Sequence, residues 1–441
     1  MLIHTVQPNE TIYSIAEKYG ISTVKLMADN QILDPGRLVV GESLAVLLPE
    51  ETYIVRYGDS LEKIAASHGV SVMQLLRNNP QLSDRLYIYP GEELIIRFTD
   101  DISTILTTNG YAFPFINSEV LRKTLPYLTY LTIFYYRITK EGDIVNIDDQ
   151  ELINTAKLYG VAPIMCISAI TATGDADVDA AHSILMNKES QEKLIIRVLD
   201  NMKAKGYYGL NIDMQNVLQE YRELYVSFIA NISDRVRQEG YYVNVTLTPR
   251  TFLTGTDIMY QGPEYATVGE LTDGTMLLSY EWGHAHSPQP ALPLAQVRVF
   301  LDYITTQIPA DKLSLGIPII GYIWQLPFHP DTSLANAITH NSALTLASDV
   351  GAIIQRDAAS EAPYFQYTIN DNEYIVWFRD VRSIAALLDL VVEYGLEGVG
   401  IWHIMQFASG LWLYINVKFD IRKVICKIID HRFYLRKSLF S

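Results

Sequence analysis

Short apolar runs alternate with helical patterns along most of this chain, between positions 102 and 424. Alternation of this kind predicts a parallel β-sheet, and eight strand–helix units predict closure into a (β/α)8 barrel. We therefore expect an α/β protein with a TIM-barrel domain. The predicted strands are 103–108, 130–137, 162–168, 209–213, 242–247, 274–280, 313–317 and 398–402.

The connection between the seventh and eighth predicted strands is too long for a plain loop. Between positions 327 and 380 it contains two runs rich in aromatic and β-branched residues, 364–368 and 374–378. Asn370, Asp371 and Asn372 separate these runs and have turn-forming side chains. The pattern predicts a β-hairpin, and hence a β-rich insertion between strands 7 and 8 of the barrel.

The first 98 residues contain an internal repeat, with one copy in residues 1–49 and the other in residues 50–98. Each copy has the pattern of a strand, two helices and a strand. Thr11 and Ser60 stand at equivalent positions and suit helix N-caps. The apolar residues that follow them fall on one helix face. They are Ile12, Ile15 and Ala16 in the first copy, and Leu61, Ile64 and Ala65 in the second.

The balance of charge disfavours some classes of partner. The formal net charge is −16, whereas nucleic acids and anionic lipid surfaces require a basic face, so we expect no nucleic-acid partner. No apolar run is long enough for a transmembrane segment, and the first residues lack the pattern of a secretory signal. His and Cys residues lack metal-ligand spacing, and we expect no metal and no cofactor. Cys166 lies in an apolar run and is predicted to be a buried thiol.

The repeat resembles the LysM module over nearly its whole length, twice. The resemblance implies binding of N-acetylglucosamine-containing glycans, such as peptidoglycan or chitin, in a shallow groove beside the first helix. It places glycan contacts near Asn9 and Asp59, and around Asn30 and Asn79. The alternative interpretation is that these Asn side chains cap helices or turns. Two linked weak sites would gain avidity on a polymer.

A cluster of polar residues follows the fourth predicted strand, at positions 213 to 216. A TIM barrel carries its chemistry at such strand ends, although an ordinary loop is the alternative. The stretch resembles the signature of glycoside hydrolase family 18, which reads roughly Asp-Gly-x-Asp-x-Asp-x-Glu. The last Asp of the signature falls on Asp213 and the Glu falls on Gln215. The two earlier Asp positions fall on Tyr208 and Asn211.

Later motifs match the same family in order. Tyr280 and Glu281 stand in its sixth-strand motif, and Tyr322 ends a segment that resembles its seventh strand. The resemblance implies that Tyr280 holds the acetamide oxygen of the sugar, and that Glu281 and Tyr322 contact carbohydrate. Trp402 stands where the family keeps a tryptophan that stacks on the sugar. Packing in the barrel core is the alternative for Tyr280 and Trp402.

The resemblance implies substrate-assisted hydrolysis, in which the 2-acetamido oxygen of the sugar attacks its own anomeric carbon. Asp213 matches the carboxylate that orients the acetamide, and Gln215 matches the acid that protonates the leaving oxygen. An amide gives up no proton near neutral pH, so Gln215 should permit binding and impair hydrolysis. Gln215 is either a natural replacement or an engineered one, and Glu281 is the alternative acid.

Two LysM modules in front of a family 18 barrel resemble the cortex-lytic N-acetylglucosaminidases of endospore-forming bacteria. We expect a protein of the spore or cell envelope that binds peptidoglycan or a chitin-like N-acetylglucosamine polymer, with residues 102–424 as the barrel. The alternatives are an active N-acetylglucosaminidase or chitinase-like hydrolase, and a non-catalytic structural envelope protein. The resemblance does not extend to residues 425–441, which form a basic, apolar tail.

Overall fold

The structure is a computed structural model, and it describes most of the chain. No helix among the described residues is both long and apolar enough to cross a bilayer. The described residues are 1–83, 85, 87–99, 104–172, 174–214, 217–248, 251–254, 257–260, 264–278, 288–290, 292–329, 333 and 335–424.

Each half of the amino-terminal repeat folds as a strand, two helices and a strand, as the sequence predicts. The predicted N-caps are confirmed, because the Thr11 and Ser60 hydroxyls accept hydrogen bonds from backbone N–H groups one turn later. The first module has strands Leu2–Thr5 and Ser43–Val46 and helices Ile12–Tyr19 and Thr23–Asp29. The second module has strands Pro49–Ile54 and Glu93–Phe98 and helices Leu61–Ser67 and Val72–Asn78.

Eight parallel strands form a barrel that closes where the last strand pairs with the first. The predicted (β/α)8 fold is therefore confirmed. Most strand residues are buried, as expected of parallel strands whose outer face is covered by helices. In order, the barrel strands are Thr104–Ala112, Tyr130–Arg137, Ala162–Ser168, Gly209–Asp213, Tyr242–Leu247, Gly274–Leu277, Leu313–Pro318 and Gly398–Trp402.

Helices connect the strands and cover the outside of the barrel. Helix Val381–Glu393 shows why one begins and how it packs: Asp380 and Ser383 form a capping box, and Ile384, Leu388 and Val391 are buried. The other helices of this domain are Ser118–Thr124, Gln150–Leu158, Val178–Met186, Lys188–Lys205, Arg222–Gln238, Tyr265–Leu271, Leu294–Ile304 and Ser409–Lys418. Strands Thr251–Thr254 and Asp257–Tyr260 form a short hairpin, and Phe419–Ile421 pairs with the start of the first strand.

A five-stranded antiparallel sheet with one helix is inserted between the seventh and eighth barrel strands, as predicted. Its hairpin turns at Asn370 and Asp371, whose φ angles of 49° and 60° suit these residue types. The inserted strands are Ile320–Leu326, Asn336–Thr339, Gln355–Arg356, Pro363–Ile369 and Asn372–Trp377, and the helix is His340–Asp349.

The bounds of three predicted barrel strands differ from the structure, and the seventh strand ends one residue later than predicted, at Pro318. The first barrel strand continues to Ala112 rather than ending at position 108, because Asn109 is buried inside the barrel and accepts a hydrogen bond from Thr132. A polar residue therefore continues the strand where the sequence pattern indicates its end. The described part of the sixth strand ends at Leu277.

Candidate active site at the carboxyl end of the barrel

Asp213 is the last residue of the fourth barrel strand and is 7% exposed. It lies in register with Ser168 on the third strand, and its carbonyl oxygen accepts a hydrogen bond from the Ala169 N–H. The carboxylate is thus held by a rigid strand at the end of the barrel where TIM-barrel enzymes place their chemistry.

A layer of neutral polar side chains lies inside the barrel around Asn211, which is two residues before Asp213 on the fourth strand. Asn211 donates hydrogen bonds to the Cys166 sulfur at 3.2 Å and to the Thr246 hydroxyl at 3.0 Å, and it accepts one from Asn244. Burial raises the pKa of the Cys166 thiol, and the negative charge of Asp213 acts in the same direction. Cys166 is therefore the neutral, buried thiol that the sequence predicts.

Tyr208 lies just before the fourth strand, at the end opposite Asp213. Its ring packs against those of Tyr130 and Tyr242, with centroids 6.1 Å apart in both pairs. The position that the family signature fills with its first Asp is therefore part of an aromatic cluster at the amino-terminal end of the barrel.

Trp402 ends the eighth barrel strand and is half-buried among aromatic rings. Its ring centroid is 5.0 Å from that of Phe134, 5.9 Å from that of Tyr111 and 6.0 Å from that of Phe113. Burial raises the pKa of Tyr111, and the negative charge of Asp213 raises it further. Asp213 and Trp402 are each the last residue of a parallel barrel strand, so the fold brings these two predicted site residues to one end of the barrel.

Three predicted site residues, Gln215, Tyr280 and Glu281, lie outside the described residues. Tyr322 is described, but it does not belong to a barrel strand. It lies on inserted strand Ile320–Leu326, where it pairs with Ala337 and Trp377 and packs beside Trp324. The seventh barrel strand already ends at Pro318, so Tyr322 lies beyond it, and its contact with carbohydrate stays a prediction.

Asn30 and Asn79 make the same three hydrogen bonds in the two LysM modules. Each amide donates to a carbonyl near the end of the second helix and to a carbonyl on the last strand. Each also accepts from an N–H of that strand. Asn79 is 0% exposed. The alternative interpretation of these residues, a structural cap, therefore describes their contacts.

Asn9 and Asp59 lie in the turn before the first helix of each module. Asn9 is exposed with a φ of 68°, which makes it the counterpart of Gly58, whose φ is 86°. The counterpart of Asp59 is Glu10, since each carboxylate accepts a hydrogen bond from the backbone N–H three residues earlier. Glu10 is not among the predicted glycan contacts, although its position in the first copy of the repeat is equivalent to that of Asp59 in the second.

The structure adds an aromatic ledge to the barrel end, formed by exposed Phe115 and half-buried Phe113 and Tyr135. Phe115 is 76% exposed and stacks on Phe113, and Phe113 in turn lies 5.9 Å from Tyr135. The guanidinium of Arg137 lies 5.6 Å from the Tyr135 ring. In the sequence, the feature that could have indicated this ledge is the pair Phe113 and Phe115 directly after the first strand. Among the described residues, no His, Cys, Asp and Glu group could hold a metal ion.

Comparisons with known proteins agree with this geometry. The family model for glycosyl hydrolases family 18 matches residues 108–406, and the LysM domain model matches residues 4–46 and 53–97. YdhD of Bacillus subtilis, a sporulation-specific glycosylase by provisional assignment, is 30% identical over 428 residues and covers 96% of this chain and 100% of its own.

Two further relatives match over nearly their whole length. The cortical fragment-lytic enzyme of Bacillus subtilis is 29% identical over 432 residues, covering 96% of this chain and 99% of its own. The crystal structure of the spore cortex-lytic enzyme SleL of Bacillus megaterium QM B1551 matches with a TM-score of 0.78 at 28% identity, covering 96% of this chain and 99% of that one. The chain therefore belongs to glycosyl hydrolase family 18 and carries two LysM modules in front of its barrel.

Proposed function

We propose that this protein binds the N-acetylglucosamine-containing glycan of peptidoglycan, that of the spore cortex in particular, and that it hydrolyses this glycan poorly. LysM modules and a family 18 barrel support a peptidoglycan-binding glycosidase of the spore or cell envelope. The impairment rests on the sequence, which has Gln215 two residues after Asp213.

The position of the Asp213 carboxylate is the observation on which the proposed binding mode depends. This carboxylate is nearly buried at the mouth of the barrel, where it can orient an acetamide group and stabilise the positive charge that develops on it. Trp402 offers an aromatic face at the same end of the barrel, suited to the apolar face of a sugar. These two residues hold and orient the sugar that the substrate-assisted reaction requires.

The missing step is protonation of the leaving oxygen. A carboxylic acid supplies that proton in most glycosidases, and general acid catalysis is worth about 10²–10⁴-fold in rate. Glutamine has the shape of glutamate and can donate a hydrogen bond, but it cannot transfer a proton near neutral pH. The glycan should therefore bind while its glycosidic bond is cleaved slowly.

Substitution of Gln215→Glu tests the proposal most directly. We expect release of new reducing ends from cortex fragments to rise about 10²-fold or more, with little change in the affinity for N-acetylglucosamine oligomers. A second substitution, Asp213→Asn, should abolish the gained activity. Rapid turnover by the unmodified protein, or failure of the full chain to bind cortex fragments, would contradict the proposal.

The second candidate function is an active N-acetylglucosaminidase in which a different group supplies the proton. The observation that favours it is similarity over nearly the full length to proteins named as lytic enzymes. The same assay separates the two functions: under this candidate the unmodified protein releases reducing ends, and Asp213→Asn alone stops it.

A further inference from the structure

Arg137 ends the second barrel strand and faces the same side of the sheet as Asp213. The register places Arg137 opposite Ser168, and Ser168 opposite Asp213, on three neighbouring strands. Side chains of directly opposed residues share one face. Two strand spacings separate the backbones of Arg137 and Asp213, a distance of about 10 Å.

A bulge sets the direction of the residues just before Arg137. The pairing of the second and third strands shifts between Ile133 and Tyr136, and Tyr135 has a φ of 103°. Such irregularities re-aim side chains beside binding sites. The Tyr135 hydroxyl is fixed in addition by a hydrogen bond of 2.6 Å to the Ala172 carbonyl oxygen. The Tyr135 ring, which lies beside the Arg137 guanidinium, is therefore held by the backbone of the bulge at one end and by its hydroxyl group at the other.

Arg137 has no carboxylate partner within the part of the chain that the structure describes. Its Nε atom is buried and has no hydrogen-bond partner among the described residues, and the side chain is partly exposed. Arginines on the barrel exterior differ: Arg197 pairs with Asp143, and Arg235 with Glu192. A guanidinium stacked on an aromatic ring, with its planar donors unused, is suited to a bidentate carboxylate contact.

The aromatic ledge links this cation to the sugar site. Ring centroids are 6.0 Å apart between Trp402 and Phe113, and 5.9 Å apart between Phe113 and Tyr135. Adjacent rings in this row are inclined to each other by 65° and 61°, and aromatic surface of this kind suits contact with the apolar faces of sugars. A glycan that starts on Trp402 and follows the ledge would bring its next substituents to Arg137.

We propose that Arg137 is a specificity-determining residue that binds a carboxylate carried by the glycan. The inference rests on the proposed function, because it assumes that the barrel mouth holds an N-acetylglucosamine polymer. Peptidoglycan has such carboxylates on the lactyl ethers of alternate sugars and on stem peptides, and chitin has none. Since the protein's net charge of −16 repels carboxylates, one unmatched cation at the mouth discriminates between the two polymers.

Binding measurements on Arg137→Gln test the inference in the full chain. The probes are a neutral N-acetylglucosamine oligomer, a peptide-free glycan strand with free lactyl carboxylates, and a strand that retains its stem peptides. We expect Arg137→Gln to weaken binding of a carboxylate-bearing probe about tenfold or more and to leave the neutral oligomer unchanged. Arg137→Lys should lie between the two, because it keeps the charge and loses the planar fork.

The matched control is Arg197→Gln, which removes an exposed arginine on helix Lys188–Lys205 and should change no affinity. Loss with the peptide-free strand assigns the carboxylate to the sugar, whereas loss confined to the peptide-bearing strand assigns it to the peptide; both support the inference. If Arg137→Gln binds each of the three probes as tightly as the unmodified protein does, the inference is overturned and the proposed function is not. Failure of the unmodified protein to bind any probe would overturn the proposed function, and the inference with it.

Discussion

The two LysM modules have the same fold, yet they attach to the rest of the molecule by different means. The first makes a close backbone contact with the insertion and accepts hydrogen bonds from Arg382 and Ser409 of the barrel domain. The second docks through buried polar side chains. The comparison separates what the LysM fold requires from what each module has added. Residues that match between the copies maintain the module. Docking uses residues that differ between the copies, such as Arg77, and a matched glycine, Gly41, whose surroundings differ from those of Gly91.

The first module packs its last turn against the insertion. The Val40 carbonyl accepts a hydrogen bond from the Ile354 N–H at 3.0 Å, and a Cβ atom on Gly41 would lie only 2.0 Å from the Ile354 carbonyl oxygen. The next residue, Glu42, is 4% exposed and accepts a hydrogen bond from the Val39 N–H. A side chain at position 41 would prevent the close approach to Ile354, so glycine is needed for docking as well as for the turn.

The second module docks through Arg77, which is 3% exposed. Its guanidinium donates hydrogen bonds of 3.1 Å to the Pro126 carbonyl and the Asn416 side chain. Tyr127 donates in return to the Arg77 carbonyl at 2.8 Å. Burial lowers the pKa of Arg77. The neighbouring Asn78 accepts a further bond from Asn416. A buried polar network thus fixes this module, whereas the first module has a close backbone contact with the insertion.

Among the variants that test how the two modules dock, we expect Gly41→Ala to lower the free energy of unfolding the most. Left-handed alanine costs about 1–2 kcal/mol and overpacking about 1–3 kcal/mol, so the free energy of unfolding should fall by about 4 kcal/mol. Gly91→Ala is the matched control, because Gly91 has a φ of 93° and open space around its Cβ position; it should lose only the backbone part. Urea denaturation measures both, and equal losses would show that the close contact with Ile354 is unimportant.

Arg77→Ala should cost about 3 kcal/mol, because it removes charged hydrogen bonds and leaves buried acceptors without donors. Arg85→Ala provides the control within the same module, since Arg85 pairs with Glu92 at a partly exposed site and such pairs contribute about 0–1 kcal/mol. Protease sensitivity of the second module should rise for Arg77→Ala alone. Similar denaturation midpoints for the two variants would contradict the docking role.

Equivalent glutamates should respond to pH in opposite directions. Burial raises the pKa of Glu42 to about 7, so ionisation opposes folding: stability is full below pH 4.5 and is lost as pH rises through about 7. Burial also acts on Glu92, but hydrogen bonds from Arg85 and the Tyr89 N–H outweigh it and lower the pKa. Stability from Glu92 is therefore present above pH 4.5 and lost as pH falls below it.

Glu42→Gln sharpens this difference. The variant should be more stable than the unmodified protein by about 2–3 kcal/mol at pH 8 and indistinguishable at pH 4, as thermal denaturation at several pH values can measure. For Glu92→Gln the difference from the unmodified protein should have the opposite sign at pH 8. A gain at pH 8 from both substitutions would refute the assignment.

The smallest effects concern the shared asparagines. Asn79→Ala should lower the free energy of unfolding by about 2 kcal/mol, and Asn30→Ala by about 1 kcal/mol, because water can reach the partly exposed Asn30 and replace its bonds. Affinity for N-acetylglucosamine oligomers should stay unchanged in both, measured at a temperature where each remains folded. A loss of affinity without a loss of stability would show instead that these residues contact the glycan.

Local patterns in the sequence were sufficient for the modules, the barrel and part of the site. The caps at Thr11 and Ser60 and the strand that ends at Asp213 depend on neighbours within a few residues, so periodicity and residue type reveal them. The family motifs further predicted that Asp213 and Trp402 share one end of the barrel. Closure of the eight strands brings together residues that are almost 200 positions apart.

Only the tertiary structure decided how shared residue types are used. Asn30 and Asn79 have the same chemistry whether they face a sugar or their own backbone, and the choice follows from where the last strand of each module lies. From its residue type, Arg77 would be expected at the surface, whereas in the fold it is buried against helix Ser409–Lys418 and the Pro126 carbonyl. Arg137 meets Tyr135 through a bulge that no periodicity indicates. Sequence patterns report neighbours along the chain, whereas burial and hydrogen-bond partners come from segments that are distant in sequence.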